Sequence, residues 1–179
     1  MQAFFYFVPV TQLNPMKMKT TALVLAFIVA SQLSSAQLKS TPYCSVFIVD
    51  VLDGSVNKLY PESPWEDIKN NLPCFSEAVA EPSTSGCAGI FFKDKGIYFY
   101  TYRDYIEISE NFKGSFTIPL MGADRNSLFK WFGHAQMKDK DWSAYQMRHG
   151  LIVVYFDSTG KVNKIILSSK STETLRVCE

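Results

Sequence analysis

The sequence predicts an α+β fold in which two tandem helix–loop–β-hairpin units share a mostly antiparallel sheet, with short helices packed on one face. Two short apolar helix stripes each follow a helix-capping signal, and their first apolar residues, Ile68 and Leu128, are 60 residues apart (128 − 68). Two hairpin turns end in glycine, at Gly96 and Gly160, 64 residues apart (160 − 96). Two similar spacings over two similar units predict an internal duplication.

Residues 1–36 are expected to lie outside this fold. Met16–Lys19 is a short basic segment, Ala22–Ala30 is apolar, and Ser34–Ala36 supplies the small residues that signal-peptide cleavage requires. We interpret the residues before Met16 as an over-called start. The apolar segment is too short to remain as a membrane-spanning helix, so cleavage is expected to leave no stable membrane anchor.

The mature chain, residues 37–179, is predicted to be a single exported domain, with unit one at about 56–114 and unit two at about 115–170. Removing the signal peptide removes two lysines, so 18 − 2 = 16 basic residues face 17 acidic ones. A net charge near −1 gives no electrostatic reason to expect nucleic-acid binding. The expected location is the periplasm or the extracellular space.

The cysteines indicate disulfide bonds. An even number of them in an exported chain is typical of paired cysteines, and all four lie in the mature part: Cys44, Cys74, Cys87 and Cys178. Three pairings are open. A Cys74–Cys87 bridge would join the end of the first helix to the next strand, and Cys44–Cys178 would then tie the two ends of the domain together. The cysteines lack zinc-site spacing, so no metal site is predicted.

The first unit begins with a strand and a capped helix. Ser63-Pro64-Trp65-Glu66 has the pattern of a capping box with proline at the first helical position, and Pro73 ends the helix. Alternating or β-branched runs predict five strands before the second helix: Cys44–Leu52, Ala88–Lys93, Ile97–Tyr102, Tyr105–Ile108 and Ser115–Leu120.

The second unit repeats this plan. Asp124 stands at a helix N-cap, an apolar stripe follows, and Gly133 suits the left-handed position after the helix. A polar loop is predicted next. Leu151–Phe156 and Val162–Leu167 then read as the two strands of a hairpin.

This layout resembles that of the β-lactamase-inhibitory-protein family, whose tandem units form a concave sheet that grips a protein partner. The stretch from Leu120 to Gly133 is also similar to the signature of BamE-type envelope lipoproteins, which has a glycine, a small residue, a helix cap, an apolar helix and a second glycine. The chain departs from that signature because it lacks the lipoprotein cysteine and has Pro73 where the first unit would need glycine. The resemblance implies a binding protein.

Little in the sequence indicates catalysis. The two histidines, His134 and His149, have no serine elbow, phosphate-binding loop or paired carboxylates beside them. We therefore expect no enzyme activity, no catalytic residue and no cofactor. A hydrolase is the weakest of three function classes.

The first hairpin carries the most unusual pattern. Alternation places Tyr98, Tyr100 and Tyr102 on one face and Ile97 and Phe99 on the other. A row of tyrosines suits a protein-binding surface, because each ring is apolar and each hydroxyl is polar. The alternative is that these tyrosines pack beneath a helix.

Two function classes are therefore carried forward. The first is a non-catalytic envelope protein that binds another protein through an aromatic sheet face. On that hypothesis the opposite face would bury Ile97 and Phe99 together with Phe91. The second class is a periplasmic binder of a small apolar ligand, lipid or glycan. The predicted partner-binding residues are Tyr98, Tyr100, Tyr102, Tyr105, Trp142 and Tyr145.

Overall fold

A computed structural model describes residues 43–81 and 86–178, and the signal-peptide prediction for residues 1–36 lies outside them. In these ranges eleven strands form one eight-stranded antiparallel sheet and one three-stranded sheet. The predicted α+β class is therefore wrong, and the chain is mostly β. The physical reason is that the two α-helices have only seven and four residues, too few to form a layer over the sheet.

The elements follow one another as short strands and turns. The strands are β1 (Ile48–Asp50), β2 (Ser55–Val56), β3 (Glu77–Val79), β4 (Gly89–Phe92), β5 (Ile97–Tyr100), β6 (Tyr105–Ser109), β7 (Ser115–Phe116), β8 (Met137–Lys138), β9 (Trp142–Met147), β10 (Gly150–Phe156) and β11 (Val162–Ser168). The helices are α1 (Trp65–Asn71) and α2 (Phe129–Phe132), with 3-10 turns at Lys93–Lys95 and Arg125–Leu128. None of these helices has the length and apolar character needed to cross a membrane.

The large sheet has the order β3-β4-β5-β6-β11-β10-β9-β8. Each half of the chain contributes four consecutive antiparallel strands, and β6 pairs with β11 at the centre. The predicted correspondence of the glycine turns is wrong, because Gly96 joins the second and third strands of one half, whereas Gly160 joins the third and fourth strands of the other. Ile68 and Leu128 from the two helical segments lie in the same core.

The main core lies on one face of the large sheet, between that sheet, the small sheet and the helical segments. In the small sheet, β1 pairs with β2 antiparallel and with β7 parallel. Val49 of β1 and Val56 of β2 point into the core with Phe47. The core is completed from the large sheet by Ile90, Phe92, Ile97, Phe99, Ile106, Ile108, Ile152, Val154, Ile165 and Leu167. These residues alternate along their strands, as half-buried strands require.

The helix-capping predictions have different outcomes. Asp124 is confirmed as an N-cap, since its carboxylate accepts a hydrogen bond of 2.9 Å from the Asn126 amide. Gly133 has the positive φ that was expected, +69°, but its ψ of −143° places it outside the left-handed helical conformation. The predicted capping box at Ser63 is wrong, because its hydroxyl accepts a hydrogen bond from the Tyr60 amide instead.

The strand predictions are best around the second hairpin, where β10 and β11 flank the turn that ends at Gly160. The strand expected over Cys44–Leu52 is shorter and belongs to the small sheet as β1. The polar loop predicted before the second hairpin is wrong, because β8 and β9 occupy it. Likewise, β3 lies between the end of the first helix and the predicted strand Ala88–Lys93, where no strand was predicted.

All four cysteines are paired, as expected, in one of the three pairings that the sequence left open. Cys44 bonds to Cys74, and Cys87 bonds to Cys178, with Cα–Cα distances of 5.4 and 5.9 Å. The first bridge joins the segment before β1 to the end of α1. The second joins the start of β4 to the C-terminal segment, residues 169–178, which follows β11. Such bridges are compatible with an oxidising extracellular compartment.

Candidate functional site: the tyrosine face of the large sheet

The face of the large sheet opposite the main core carries a set of aromatic and charged side chains, which we call the tyrosine face. Alternation and strand register bring them together: Phe91, Tyr98, Tyr100, Tyr105, Glu107, Trp142, Tyr155 and Lys164. Ile97 and Phe99 are buried on the other face, as predicted. Phe91 was expected to join them, but it pairs directly with Tyr98 and so lies on the tyrosine face.

Three aromatic rings form a contiguous cluster on β4 and β5. Tyr98 and Tyr100 are half-exposed, and their ring centroids lie 6.0 and 5.2 Å from that of Phe91. Tyr100 also stacks on Tyr105 of β6, with centroids 4.5 Å apart. Burial, with a smaller contribution from the nearby carboxylate of Glu107, raises the pKa of Tyr100 to about 12, so its hydroxyl stays protonated at neutral pH.

Tyr105 lies beneath the C-terminal segment. Its side chain is fully buried, and its hydroxyl accepts a hydrogen bond of 2.9 Å from the backbone amide of Cys178. Burial raises the pKa of Tyr105 far above its ordinary value. This residue therefore attaches the C-terminal segment to the sheet and cannot itself contact a partner while that segment is in place.

The C-terminal segment crosses the other half of the tyrosine face. Leu175 and Val177 pack there on Leu151 and Val153 of β10, beside Trp142. They leave a cavity of about 240 Å³ between the segment and the sheet. This volume lies below the range typical of ligand pockets, which begins at about 300 Å³.

The charged residues of this face lie at its centre and edge. Glu107 on β6 is half-buried, and burial raises its pKa, with a smaller opposing effect from Lys164. The Lys164 ammonium lies 4.3 Å from the ring centroid of Tyr155, a cation–π contact. At the edge, Glu77 of β3 forms an ion pair with Lys93.

Four of the six predicted partner-binding residues lie on this face: Tyr98, Tyr100, Tyr105 and Trp142. Tyr102 is 63% exposed but sits in the turn after β5, outside the strand. Tyr145 points to the main core, where it is 5% exposed and its ring lies 5.0 Å from that of Phe132.

Three further members of the tyrosine face were not predicted from the sequence: Glu107, Tyr155 and Lys164. Alternation assigns each of them to one face of its own strand, but only the strand register shows that these faces of β6, β10 and β11 are the same face of the sheet.

A second candidate site is a groove of about 620 Å³ beside the small sheet. Its lining mixes apolar, hydroxyl, amide and carboxylate groups: Ser45, Val46, Ile48, Asp50, Asp53, Ser55, Asn57, Lys58, Tyr60 and Thr117. Asn57 and Lys58 both have positive φ, at 49° and 66°, because they form the tight turn between Val56 and Leu59.

Asp53 organises the polar end of this groove. Its carboxylate accepts hydrogen bonds from the Tyr60 hydroxyl at 2.7 Å and the Ser55 hydroxyl at 3.2 Å, and the Tyr60 bond is the largest cause of its lowered pKa. His149 Nε2 lies 3.6 Å from the same carboxylate. The serine and the imidazole therefore both face Asp53 and do not form a nucleophile–base pair with each other.

The other predicted histidine, His134, packs against the ring of Phe129 at 4.9 Å. In the described ranges, no three histidine, cysteine or acidic side chains are grouped in a way that could hold a metal ion.

No protein-family model, curated protein or solved structure matches this chain. The resemblance to the β-lactamase-inhibitory-protein family and to the BamE-type lipoproteins therefore stays a prediction.

Proposed function

We propose that the mature chain is an exported, non-catalytic protein that binds another protein through the tyrosine face. The observation that carries this proposal is the half-exposed cluster of Tyr98 and Tyr100 on a sheet whose opposite face already holds the main core. Because that core is built elsewhere, these rings are not needed for it. Tyrosine and tryptophan are enriched at the energetic centres of protein interfaces.

The C-terminal segment adds support. It is an irregular stretch of chain, and its Leu175 and Val177 side chains rest on the same face. The tyrosine face thus already binds one peptide segment, in this case from its own chain. A partner segment would meet similar apolar and aromatic surface on the half of the face that carries Tyr98 and Tyr100.

The predicted family resemblance points in the same direction. The β-lactamase-inhibitory proteins grip their partners with a sheet made of two units, and here two four-stranded halves meet at β6 and β11. The resemblance supports a protein partner, without implying that this partner is a β-lactamase.

The test separates binding from stability. Tyr98→Ala and Tyr100→Ala are compared with Tyr43→Ala, a tyrosine that is 84% exposed and lies outside the face. The mature proteins are used as bait in an envelope extract, and their thermal midpoints are recorded. We expect near-native melting for all three. Only the two face variants should fail to retain the partner, because each is expected to weaken the binding free energy by about 2 kcal/mol or more. Equal retention by all three would reject the proposal.

Export is tested independently. Mass spectrometry of the protein from its native host should give an N-terminus at Gln37 and no thiol that alkylates without reduction. A retained Met16 would contradict the signal-peptide prediction.

The groove beside the small sheet favours a second candidate function, binding of a small ligand such as a lipid or glycan. Its volume of about 620 Å³ falls within the usual range for ligand pockets, unlike the cavity under the C-terminal segment. Ile48 would contact apolar parts of the ligand, and Asp53 would hydrogen-bond its hydroxyls. A thermal-shift screen of lipids and glycans against the wild type and Asp53→Asn tests this. A ligand that stabilises only the wild type would support it, and equal shifts in both proteins would not.

A further inference from the structure

Glu107 occupies the centre of the tyrosine face. It lies on β6, the fourth strand of eight, and its cross-strand neighbours are Tyr98 on β5 and Ile166 on β11. Side chains directly opposite each other on adjacent antiparallel strands are about 5 Å apart at Cβ. Any partner that covers Tyr98 therefore also covers this carboxylate.

The two acidic residues of this face differ in their partners. Glu77, at the edge, is paired with Lys93. Glu107 has neither a hydrogen bond nor an ion pair with any described residue. Lys164, the cation that acts on its pKa, places its ammonium over the Tyr155 ring instead. The central carboxylate is thus half-buried and has no direct partner.

Covering such a carboxylate has a physical consequence. Burying an ionised group without a compensating charge is strongly unfavourable, whereas a hydrogen-bonded opposite charge removes much of that penalty. A purely apolar partner would leave Glu107 buried and uncompensated, and an acidic partner would add repulsion. A partner that places a cation beside the Glu107 carboxylate avoids both the burial penalty and the repulsion.

We infer that the tyrosine face receives a lysine or arginine side chain of its protein partner, with the Glu107 carboxylate as the acceptor. This inference rests on the function proposed above. The rings around Glu107 suit such a guest, because an ammonium or guanidinium is attracted to aromatic faces. The aliphatic stem of the same side chain would lie along Tyr98 and Tyr100, which keeps its apolar part out of water.

A competing arrangement uses the chain's own cation. If Lys164 turned from Tyr155 to Glu107 when a partner bound, the site would be neutralised without a basic partner residue. The two arrangements predict different partner sequences, so selection from random peptides distinguishes them.

The experiment pans a phage-displayed library of random dodecapeptides against four disulfide-bonded mature proteins. These are the wild type, Glu107→Gln, Lys164→Met, and the double variant Tyr98→Ala/Tyr100→Ala. Thermal midpoints are measured first, and glutamine is chosen because it keeps the size of Glu107. We expect the wild type to enrich peptides with lysine or arginine, Glu107→Gln to lose that preference, and the double variant to enrich neither set.

A selected peptide then gives the quantitative test. An arginine in it is replaced by citrulline and a lysine by acetyl-lysine, so that the charge is removed and most of the side chain is kept. Wild-type affinity should fall about tenfold, and Glu107→Gln affinity should barely change.

The possible outcomes distinguish failure of this inference from failure of the proposed function. Wild-type peptides that depend on Tyr98 and Tyr100 but show no basic preference would overturn this inference and leave the proposed function standing. A basic preference that appears only in Lys164→Met would also overturn it, in favour of the internal cation. If the wild type and the double variant enrich the same peptides, or if neither enriches any, the proposed function fails and this inference fails with it.

Discussion

The two faces of the large sheet are built from alternating residues of the same strands, yet they have different chemistry. On β5, Ile97 and Phe99 are fully buried in the main core, whereas Tyr98 and Tyr100 remain half-exposed. The first face could lose no side chain without leaving a cavity. The second combines rings, hydroxyls and a carboxylate that tolerate water. The first face therefore stabilises the fold through the main core, and only the uncovered part of the second face, around Tyr98 and Tyr100, keeps contact with solvent.

The second face is itself divided. Where the C-terminal segment crosses it, Tyr105 is as well buried as any core residue, because the segment excludes water from it. Where the segment is absent, Tyr98 and Tyr100 keep contact with solvent. Burial on this face thus depends on the covering segment. Four changes test the contrast between the faces and the contrast within the second face.

The largest effect should come from removing the bridge that holds the segment. Replacing Cys87 and Cys178 by alanine frees a loop of 91 residues and should lower the free energy of unfolding by about 4–5 kcal/mol in the chain-entropy model. The same model gives about 3.6 kcal/mol for the 30-residue Cys44–Cys74 loop, the matched control. Denaturant unfolding of both variants measures the difference. A larger loss from the shorter loop would contradict the model.

Phe99→Ala should come next, because this ring is 1% exposed and fills the main core. We expect a loss of about 3–5 kcal/mol in the free energy of unfolding. Tyr98→Ala, one residue away on the other face, should barely change it. Urea unfolding curves of the two variants test the contrast between the faces. Comparable losses would show that the tyrosine face is also core.

Tyr105→Phe removes only a hydroxyl. The Cys178 amide then loses its acceptor, which should lower the free energy of unfolding by about 1 kcal/mol. Hydrogen exchange at that amide should speed up, and Tyr102→Phe, in the exposed turn, serves as the control. Unchanged exchange would mean that this hydrogen bond does not hold the segment.

The smallest effect concerns pH. Burial raises the pKa of Glu107 above its ordinary value of 4.5, with partial opposition from Lys164, so the folded chain holds this proton more tightly than the unfolded chain. The contribution of Glu107 to stability is therefore greatest below its unfolded pKa and falls as pH rises through the folded pKa. Solvent screening keeps the change small, because the group stays partly exposed.

Glu107→Gln cannot ionise and provides the reference for this effect. Unfolding free energies of both proteins are measured from acidic to neutral pH. The wild-type value should fall relative to the variant as pH rises. A relative increase would have the wrong sign for a carboxyl with a raised pKa.

Local signals predicted local structure well. Asp124 has a side chain that can cap a helix, and the second hairpin has a continuous apolar strand on each side of its turn. The alternation of Ile97, Tyr98 and Phe99 likewise predicted which of them would be buried. These features depend on residues close together in the chain.

Features that depend on residues far apart in the chain could not be predicted from such local signals. The strand β9 contains Ser143 and Gln146, so it has no continuous apolar run, and pairing with β10 is what orders it. Cys74 and Cys87 are close in sequence, but sequence alone does not fix disulfide pairing. The α+β class was wrong for a similar reason. A short apolar stripe indicates that a segment is helical, but it does not indicate how long the helix is.

If the disulfides form while the chain is still emerging, their pairing fixes the order in which they can close. Cys44 and Cys74 can bond once the short segment between them has emerged, whereas Cys87 must wait for Cys178. At about 5–20 residues per second, a delay of 91 residues lasts roughly 5–18 seconds. During that time thiol–disulfide exchange between Cys87 and the existing bridge, 13 residues away (87 − 74), can scramble the pairing. In the folded chain Cys44 and Cys74 pack against the main core, which limits access to that bridge, so the correct connectivity is protected only once this core has formed.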